Sequence, residues 1–187
     1  MKTLLAFSGS SRIGSLNTLL LEQAEALADS LGATVATIDL RELNLPVYDG
    51  DIEAANGLPS AVLDLKEAMK EADGFLIASP EYNSFPTPLL LNALDWASRP
   101  GAGDDVPLSA FKGKIAGLMA ASPGAMGGIR SLWALRTLLQ NVGVVVAPTL
   151  AAIGGATPEL FTDENFATSS NGRRLRSTLE ETLSLIR

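Results

Sequence analysis

The stretch that decides the fold is residues 2–31, KTLLAFSGSSRIGSLNTLLLEQAEALADSL, because its hydrophobic period changes once, across a turn of glycine and serine. Lys2 to Ser8 contains the unbroken apolar run Leu4, Leu5, Ala6 and Phe7, which suits a strand buried on both faces. From Asn17 to Leu31 the positions Leu20, Ala24, Leu27 and Leu31 recur at helical spacing, with Glu22, Glu25 and Asp29 between them and Gly32 as the stop. Strand, polar turn and amphipathic helix form one unit of a parallel sheet. Outward from it the unit repeats, with strands expected at Val35–Leu40, Gly74–Ala78 and Lys114–Ala120 and a broken fifth over Val144–Ile153. The matching helices are Pro59–Ala72, Pro88–Ser98, Gly128–Val142 and Asn171–Arg187. Five such units imply an α/β domain of three layers, a doubly wound five-stranded parallel sheet covered on both faces. No break in composition divides it, so residues 1–187 read as a single domain.

Composition then limits the chemistry. The 187 residues hold 14 Lys plus Arg, 21 Asp plus Glu, no His and no Cys. Without imidazole or thiol there is no Ser-His-Asp or Cys-His triad and no zinc, iron–sulfur or haem site of the usual ligands. No metal site and no catalytic side chain is therefore nominated. A net charge of −7 without a basic run argues against a nucleic-acid partner. The uncharged stretch from Thr137 to Pro158 is interrupted by Gly143, Pro148, Gly154 and Gly155 and reads as buried strand and loop rather than a membrane helix. Met1 to Ser8 is too short an apolar segment for a signal peptide, and a cytoplasmic location is expected. Leu43 to Gly57 and Pro100 to Val106 read as surface loops.

In an open parallel sheet, ligands bind beyond the carboxyl ends of the strands, and three loops lie there. The first, Ser8 to Asn17, sets Ser10, Ser11, Arg12, Ser15, Leu16 and Asn17 around a helix N-terminus, where free amides and the macrodipole attract an anion. It lacks the P-loop lysine and the pattern G-x-G-x-x-G. Its structural alternative is a polar turn with Ser15 or Asn17 capping the helix. The second, Ser79 to Pro88, contains Pro80, Glu81, Tyr82 and Asn83, a rigid wall with an aromatic ring and an amide for a flat heterocycle. Alternatively Tyr82 and Phe85 close the core, the preferred reading for Phe85, and Glu81 is a solvated loop residue or backbone anchor. The third, Ser122 to Gly128, offers Gly124, Gly127 and Gly128 for close backbone approach. There Met126 reads alternatively as core, and Arg130 and Arg136 as partners of surface acids.

Taken in this order, the three loops resemble the NAD(P)H-dependent FMN reductase family of flavodoxin-like quinone, azo and chromate reductases. Gly9 to Arg12 with Ser15 and Asn17 resembles its phosphate loop, and Ser79-Pro-Glu-Tyr-Asn83 with Asn92-Ala-Leu-Asp-Trp96 its signature. Ser122-Pro-Gly124 with Gly127 to Arg130 and Leu135-Arg136 resembles the third segment. The chain departs from the family at Phe85, Thr87, Pro88 and Leu91, positions that bear on the pocket and a subunit contact. The resemblance implies a flavodoxin-like sheet of order 2-1-3-4-5, bound FMN, NADPH or NADH as co-substrate, and a homodimer or homotetramer. The expected acceptor is a quinone, flavin, azo compound or metal oxyanion. Ser10, Ser11, Arg12, Ser15, Leu16 and Asn17 would hold the phosphate, Pro80 to Asn83 the ring, and Ser122, Gly124, Gly127 and Gly128 its opposite edge or the nicotinamide approach. Leu89, Leu90, Leu94 and Trp96 read as core before interface. A cofactor carries such chemistry itself, which suits a chain without His or Cys. Two alternatives stand beside it: a flavin-binding electron carrier, and a nucleotide- or phosphate-binding regulatory domain with Asp39 on a ribose.

Overall fold

The computed structural model describes residues 1–101, 104 and 106–187. The strands are β1 (Thr3–Ser8), β2 (Thr34–Ile38), β3 (Gly74–Ala78), β4 (Ile115–Ala121), β5 (Val145–Val146) and β6 (Ala151–Ile153). Between and after them run α1 (Leu16–Ser30), α2 (Gly50–Asn56), α3 (Ser60–Glu71), α4 (Pro88–Ala97), α5 (Ile129–Asn141), α6 (Pro158–Thr162) and α7 (Ser170–Leu185). The sheet is parallel, in the order β2-β1-β3-β4-β5 with β6 also on β4. Order and direction are those expected, but the fifth strand is two segments and the sheet therefore has six. β5 pairs with Ile115 and Ala116, and β6 with Met119 to Ala121. Pro148, which has no N–H, stands in the gap between them.

Alternation along the strands explains their unbroken apolar runs. Leu5, Phe7, Phe75 and Ile77 face one core with Leu65, Met69, Leu90 and Leu132 from α3, α4 and α5. Leu4, Ala6, Leu76 and Ala78 face the other with Leu20 and Ala24 of α1 and Leu175 and Leu179 of α7. Truncating a central residue such as Phe75 costs about 3–5 kcal/mol. Both faces are covered, so the open surfaces of the sheet are its two ends.

The segment expected as a plain loop at 43–57 contains α2, capped by the Asp49 carboxylate on the Asp51 amide at 2.8 Å. It buries no side chain, hence no periodic signal. Asn92 and Trp96 of α4 fix the same segment: Trp96 Nε1 donates to the Pro46 carbonyl at 2.8 Å and Asn92 Oδ1 accepts the Tyr48 amide at 2.8 Å. Trp96, Leu90 and Leu94 are buried, the core role preferred for them. The other expected loop, Pro100 to Val106, lies partly outside the described residues. Its Asp104 accepts from Lys66 at 2.6 Å, Lys70 at 2.9 Å and the Gly101 amide at 2.7 Å, and these bonds hold its carboxyl far below the usual carboxylate range against the cost of burial.

Candidate functional site

The first loop descends from β1 through consecutive serine turns, Ser8 Oγ accepting the Ser10 amide and Ser10 Oγ the Arg12 amide, each at 3.2 Å. Ser15 is the N-cap of α1, accepting the Asn17 amide at 3.1 Å. Among the described residues the amides of Ser11, Ile13 and Gly14 have no protein acceptor, and the Arg12 guanidinium has no partner. With the orphan amides that begin any helix, they make a region of unmet donors. Asn17 lines the cavity that the loops enclose, and its side chain also has a structural role. Its amide is buried and clamps β4, Nδ2 donating to the Ala121 carbonyl and Oδ1 accepting the Ala121 amide, both at 3.0 Å.

The second loop is a tight hairpin. Tyr82 and Phe85 exchange backbone hydrogen bonds of 2.9 and 3.0 Å, and Asn83 and Ser84 both take positive φ, 53° and 72°. Two left-handed central residues define a type I′ turn. Left-handed backbone at a serine is strained, a feature that collects at functional sites. The turn leaves Tyr82 50% and Phe85 62% exposed, which corrects the expectation that Phe85 closes the core. Leu90 and its neighbours already fill that core face. Glu81 is anchored, its carboxylate accepting from Arg130 and from the Ser131 amide at 3.2 Å. It thereby caps α5, whose own N-cap, Gly128, has no side chain to do so. Thr87 caps α4 and donates to the Gly9 carbonyl at 2.5 Å, tying the second loop to the first.

The third loop lies against the segment after β6. Ser122 donates its amide to the Ile153 carbonyl at 3.0 Å, and Gly127, at φ 59°, passes so close that a Cβ there would stand 2.6 Å from the Gly154 nitrogen. Met126 is 53% exposed rather than core, because the loop rests its backbone, not its side chains, on the neighbouring segment. Arg130 meets an acid as expected, whereas Arg136 donates to the Ala147 and Pro148 carbonyls, each at 2.8 Å. The proline break in the fifth strand frees those carbonyls.

The loops enclose a cavity of ≈ 190 Å³. Ser10, Arg12, Ser15, Leu16, Asn17, Pro80, Glu81, Tyr82 and Ser122 line it, together with Ala121 and Pro123. The last two were not among the expected residues, although the end of β4 was the signal for Ala121. Asn83, Gly124, Gly127 and Gly128 shape the surrounding loops without lining the cavity, and Ser11 lines a neighbouring one of ≈ 510 Å³. Among the described residues no group of three or more Asp or Glu side chains is placed to hold a metal ion, and no helix is long and apolar enough to cross a membrane.

Comparison with known proteins finds the same elements elsewhere. The family model described as NADPH-dependent FMN reductase matches residues 2–158. An NAD(P)H-dependent FMN reductase of Pseudomonas aeruginosa is 38% identical over 140 residues, covering 75% of this chain and 70% of that protein. A quinone reductase of Escherichia coli is 31% identical over 147 residues, 79% of this chain and 74% of its own. Among solved structures, the flavoenzyme NAD(P)H:(acceptor) oxidoreductase of Paracoccus denitrificans superposes with a TM-score of 0.77 at 29% identity, covering 97% of this chain and 99% of that one.

Proposed function

The chain belongs to the NADPH-dependent FMN reductase family, and from that premise we propose that the loops at the carboxyl ends of β1, β3 and β4 hold FMN for electron transfer from NAD(P)H to a small acceptor. The protein is a flavin-dependent NAD(P)H oxidoreductase. The observation that carries the site assignment is the uncommitted Arg12 on the cavity wall, with the Ser10 and Ser15 hydroxyls and the N-terminus of α1 beside it; the free amides of Ser11, Ile13 and Gly14 belong to residues that line the neighbouring cavity. A phosphate monoester suits such donors, and the charge-assisted contact from a guanidinium is the strongest single one. The exposed Tyr82 ring and the fixed hairpin that carries it fit a flat heterocycle, so the residues present suit the cofactor.

When bound, FMN supplies the two-electron exchange between a nicotinamide donor and an acceptor. The protein residues bind and orient. Ser10, Ser15 and Arg12 take the phosphate. Asn17 keeps α1 and β4 in register beneath it, holding the first and third loops at fixed separation. Glu81, anchored on α5, fixes the loop in which Pro80 and Tyr82 would hold the ring. The third loop would face the edge of the ring with backbone amides, a role that needs no titratable group, although the Gly124 and Gly127 amides are already taken by Ser122 Oγ and the Gly124 carbonyl. A quinone, flavin, azo compound or metal oxyanion suits such a site as acceptor. The exposed Phe85, Met126 and Trp133 are surfaces that a homodimer or homotetramer would cover. The need for a nicotinamide donor favours a cytoplasmic location.

The test is an anaerobic titration of FMN-loaded protein with NADPH or NADH, followed by addition of a quinone. Bleaching of the flavin band within seconds and its return with quinone is expected. Protein that takes up no FMN, or whose flavin band is untouched by either nucleotide, would overturn the reading.

A further inference from the structure

Of the Lys and Arg side chains, Lys66, Lys70, Arg99, Arg130 and Arg176 are ion-paired, and Lys2, Lys114, Arg136, Arg173 and Arg174 donate to backbone carbonyls. Among the described residues, Arg12, Arg41, Lys112 and Arg187 have neither kind of partner. Arg12 and Arg41 share one cavity, of ≈ 510 Å³, on the β2 side of the first loop. Its volume falls in the range of small-molecule sites. Arg12 and Ser10 also line the smaller cavity, so the two spaces share a wall, while Arg41 belongs to the second alone.

The second cavity is lined by apolar surface, by two carboxylates, Asp39 and Glu42, and by a pair of guanidiniums, with serine and threonine hydroxyls between them. Leu21 and Ile38 give it apolar surface, and Ile13 stands 83% exposed at the tip of the loop. Asp39, the first residue after β2, accepts the Arg41 amide on Oδ1 at 2.8 Å. That bond fixes the turn and leaves the other carboxylate oxygen without a protein donor. The guanidiniums are the uncommitted Arg12 and Arg41. In dinucleotide-binding sheets an acid after the second strand takes the ribose 2′-hydroxyl of NAD, or an arginine there takes the 2′-phosphate of NADP; with the 2′ position phosphorylated, the ribose 3′-hydroxyl is what is left for Asp39 and the phosphate is for Arg41. Arginine matches a phosphate in planar, bidentate geometry.

We propose that this cavity seats the adenosine 2′-phosphate end of the nicotinamide co-substrate, with Arg41 on the phosphate, Asp39 on the ribose and Ile13 against the base. The assignment rests on the preceding reading for the identity of the co-substrate. It makes the enzyme prefer NADPH to NADH and names the residue that does so. No spacing in the sequence links Arg41 to the phosphate loop, and only the turn after β2 brings it beside Arg12.

Calorimetric titration with adenosine 2′,5′-bisphosphate, 5′-AMP and inorganic phosphate tests it, on FMN-saturated protein and on protein as purified. Failure to load flavin would then sink the preceding reading while the cavity's own result stays legible. The 2′,5′-bisphosphate is expected to bind about tenfold or more tighter than 5′-AMP, and Arg41→Ala to erase that difference. In steady state, Arg41→Ala should raise KM for NADPH about tenfold, with KM for NADH, kcat and FMN affinity within about twofold of wild type. Lys112→Ala, a substitution of an equally unpartnered cation at the far end of the sheet, should change none of these. Equal affinity for the two nucleotides, binding of inorganic phosphate as tight as the bisphosphate, or an Arg41→Ala effect shared by NADH and NADPH would each overturn the proposal. Arg41 is exposed, so a thermal melt matching wild type is expected alongside.

Discussion

At the amino ends of the strands lie cavities of ≈ 550 and ≈ 610 Å³, and at the carboxyl ends cavities of ≈ 510 and ≈ 190 Å³. Volume does not separate the two ends; hydrogen bonding does. At the amino end Asp73 accepts from the Thr3 amide at 2.8 Å and hydroxyl at 3.0 Å, Lys114 donates to the Lys70 and Ala72 carbonyls at the end of α3, and Lys2 reaches the Leu183 carbonyl at 2.5 Å. Among the described residues Lys112 and Arg187 are left over there and line one cavity, as Arg12 and Arg41 do at the other end, but the amides around them are met: Gly113 donates to Gly143, Lys114 to Phe111 and Val145 to Lys114. At the carboxyl end several amides and two neighbouring guanidiniums are unmet. A folded chain tolerates unmet donors only where water or a ligand reaches them. That difference supports the proposed placement of the chemistry, although the larger hollows are at the other end.

The strongest way to break this contrast is Gly127→Ala. A methyl group 2.6 Å from the Gly154 nitrogen, on backbone at φ 59°, should cost about 3 kcal/mol and lower the melting temperature on the order of 10 °C. A melt within about 2 °C of wild type would show that the third loop is free to move. Asn17→Ala comes next, with a loss of about 2–3 kcal/mol in urea unfolding from two buried hydrogen bonds. If stability held while FMN binding fell, Asn17 would be a ligand contact rather than a clamp. Arg12→Ala should weaken FMN roughly ten- to a hundredfold in a flavin titration, without changing the melt of flavin-free protein. Unchanged affinity would make its lack of a partner an ordinary surface property.

At the opposite end, Lys114→Met should cost about 1 kcal/mol and leave turnover alone, since it removes only a cap on α3. Burial lowers the Lys114 ammonium pKa against the pull of Asp73. An effect on kcat would join the two ends. The smallest expected effect is in acid. Thr3 holds the Asp73 carboxyl below its ordinary value, so its contribution to stability is complete above the unfolded carboxylate range and is lost as pH falls through the lowered folded value. An NMR titration of Asp73 should move upward in Thr3→Ala, with catalysis unchanged.

The fold was largely legible because its central strands β1, β3 and β4 are buried on both faces and most of its helices on one, and those two periods differ. α2 was not, since a helix that buries nothing leaves no apolar stripe. The division of the fifth strand was visible as Pro148, but the pairing of each half depends on β4. In the site, the residues were legible and their directions were not. Asn17 reads as a site residue and lines the cavity, but its clamp on Ala121, more than a hundred positions away, carries no local signal. The hairpin at 82–85 lacks the Asn-Gly pair that announces a type I′ turn, so exposure of Phe85 was hidden. Arg41 carries no motif at all.

The Asn17 clamp also orders events in time. During synthesis the first loop and α1 leave the ribosome long before Ala121 exists, so the loop's residues are complete while its shape is not. A nascent or truncated chain ending before β4 would lack the register that spaces the first and third loops, and the prosthetic group would have to be captured late, after the middle of the sheet has closed.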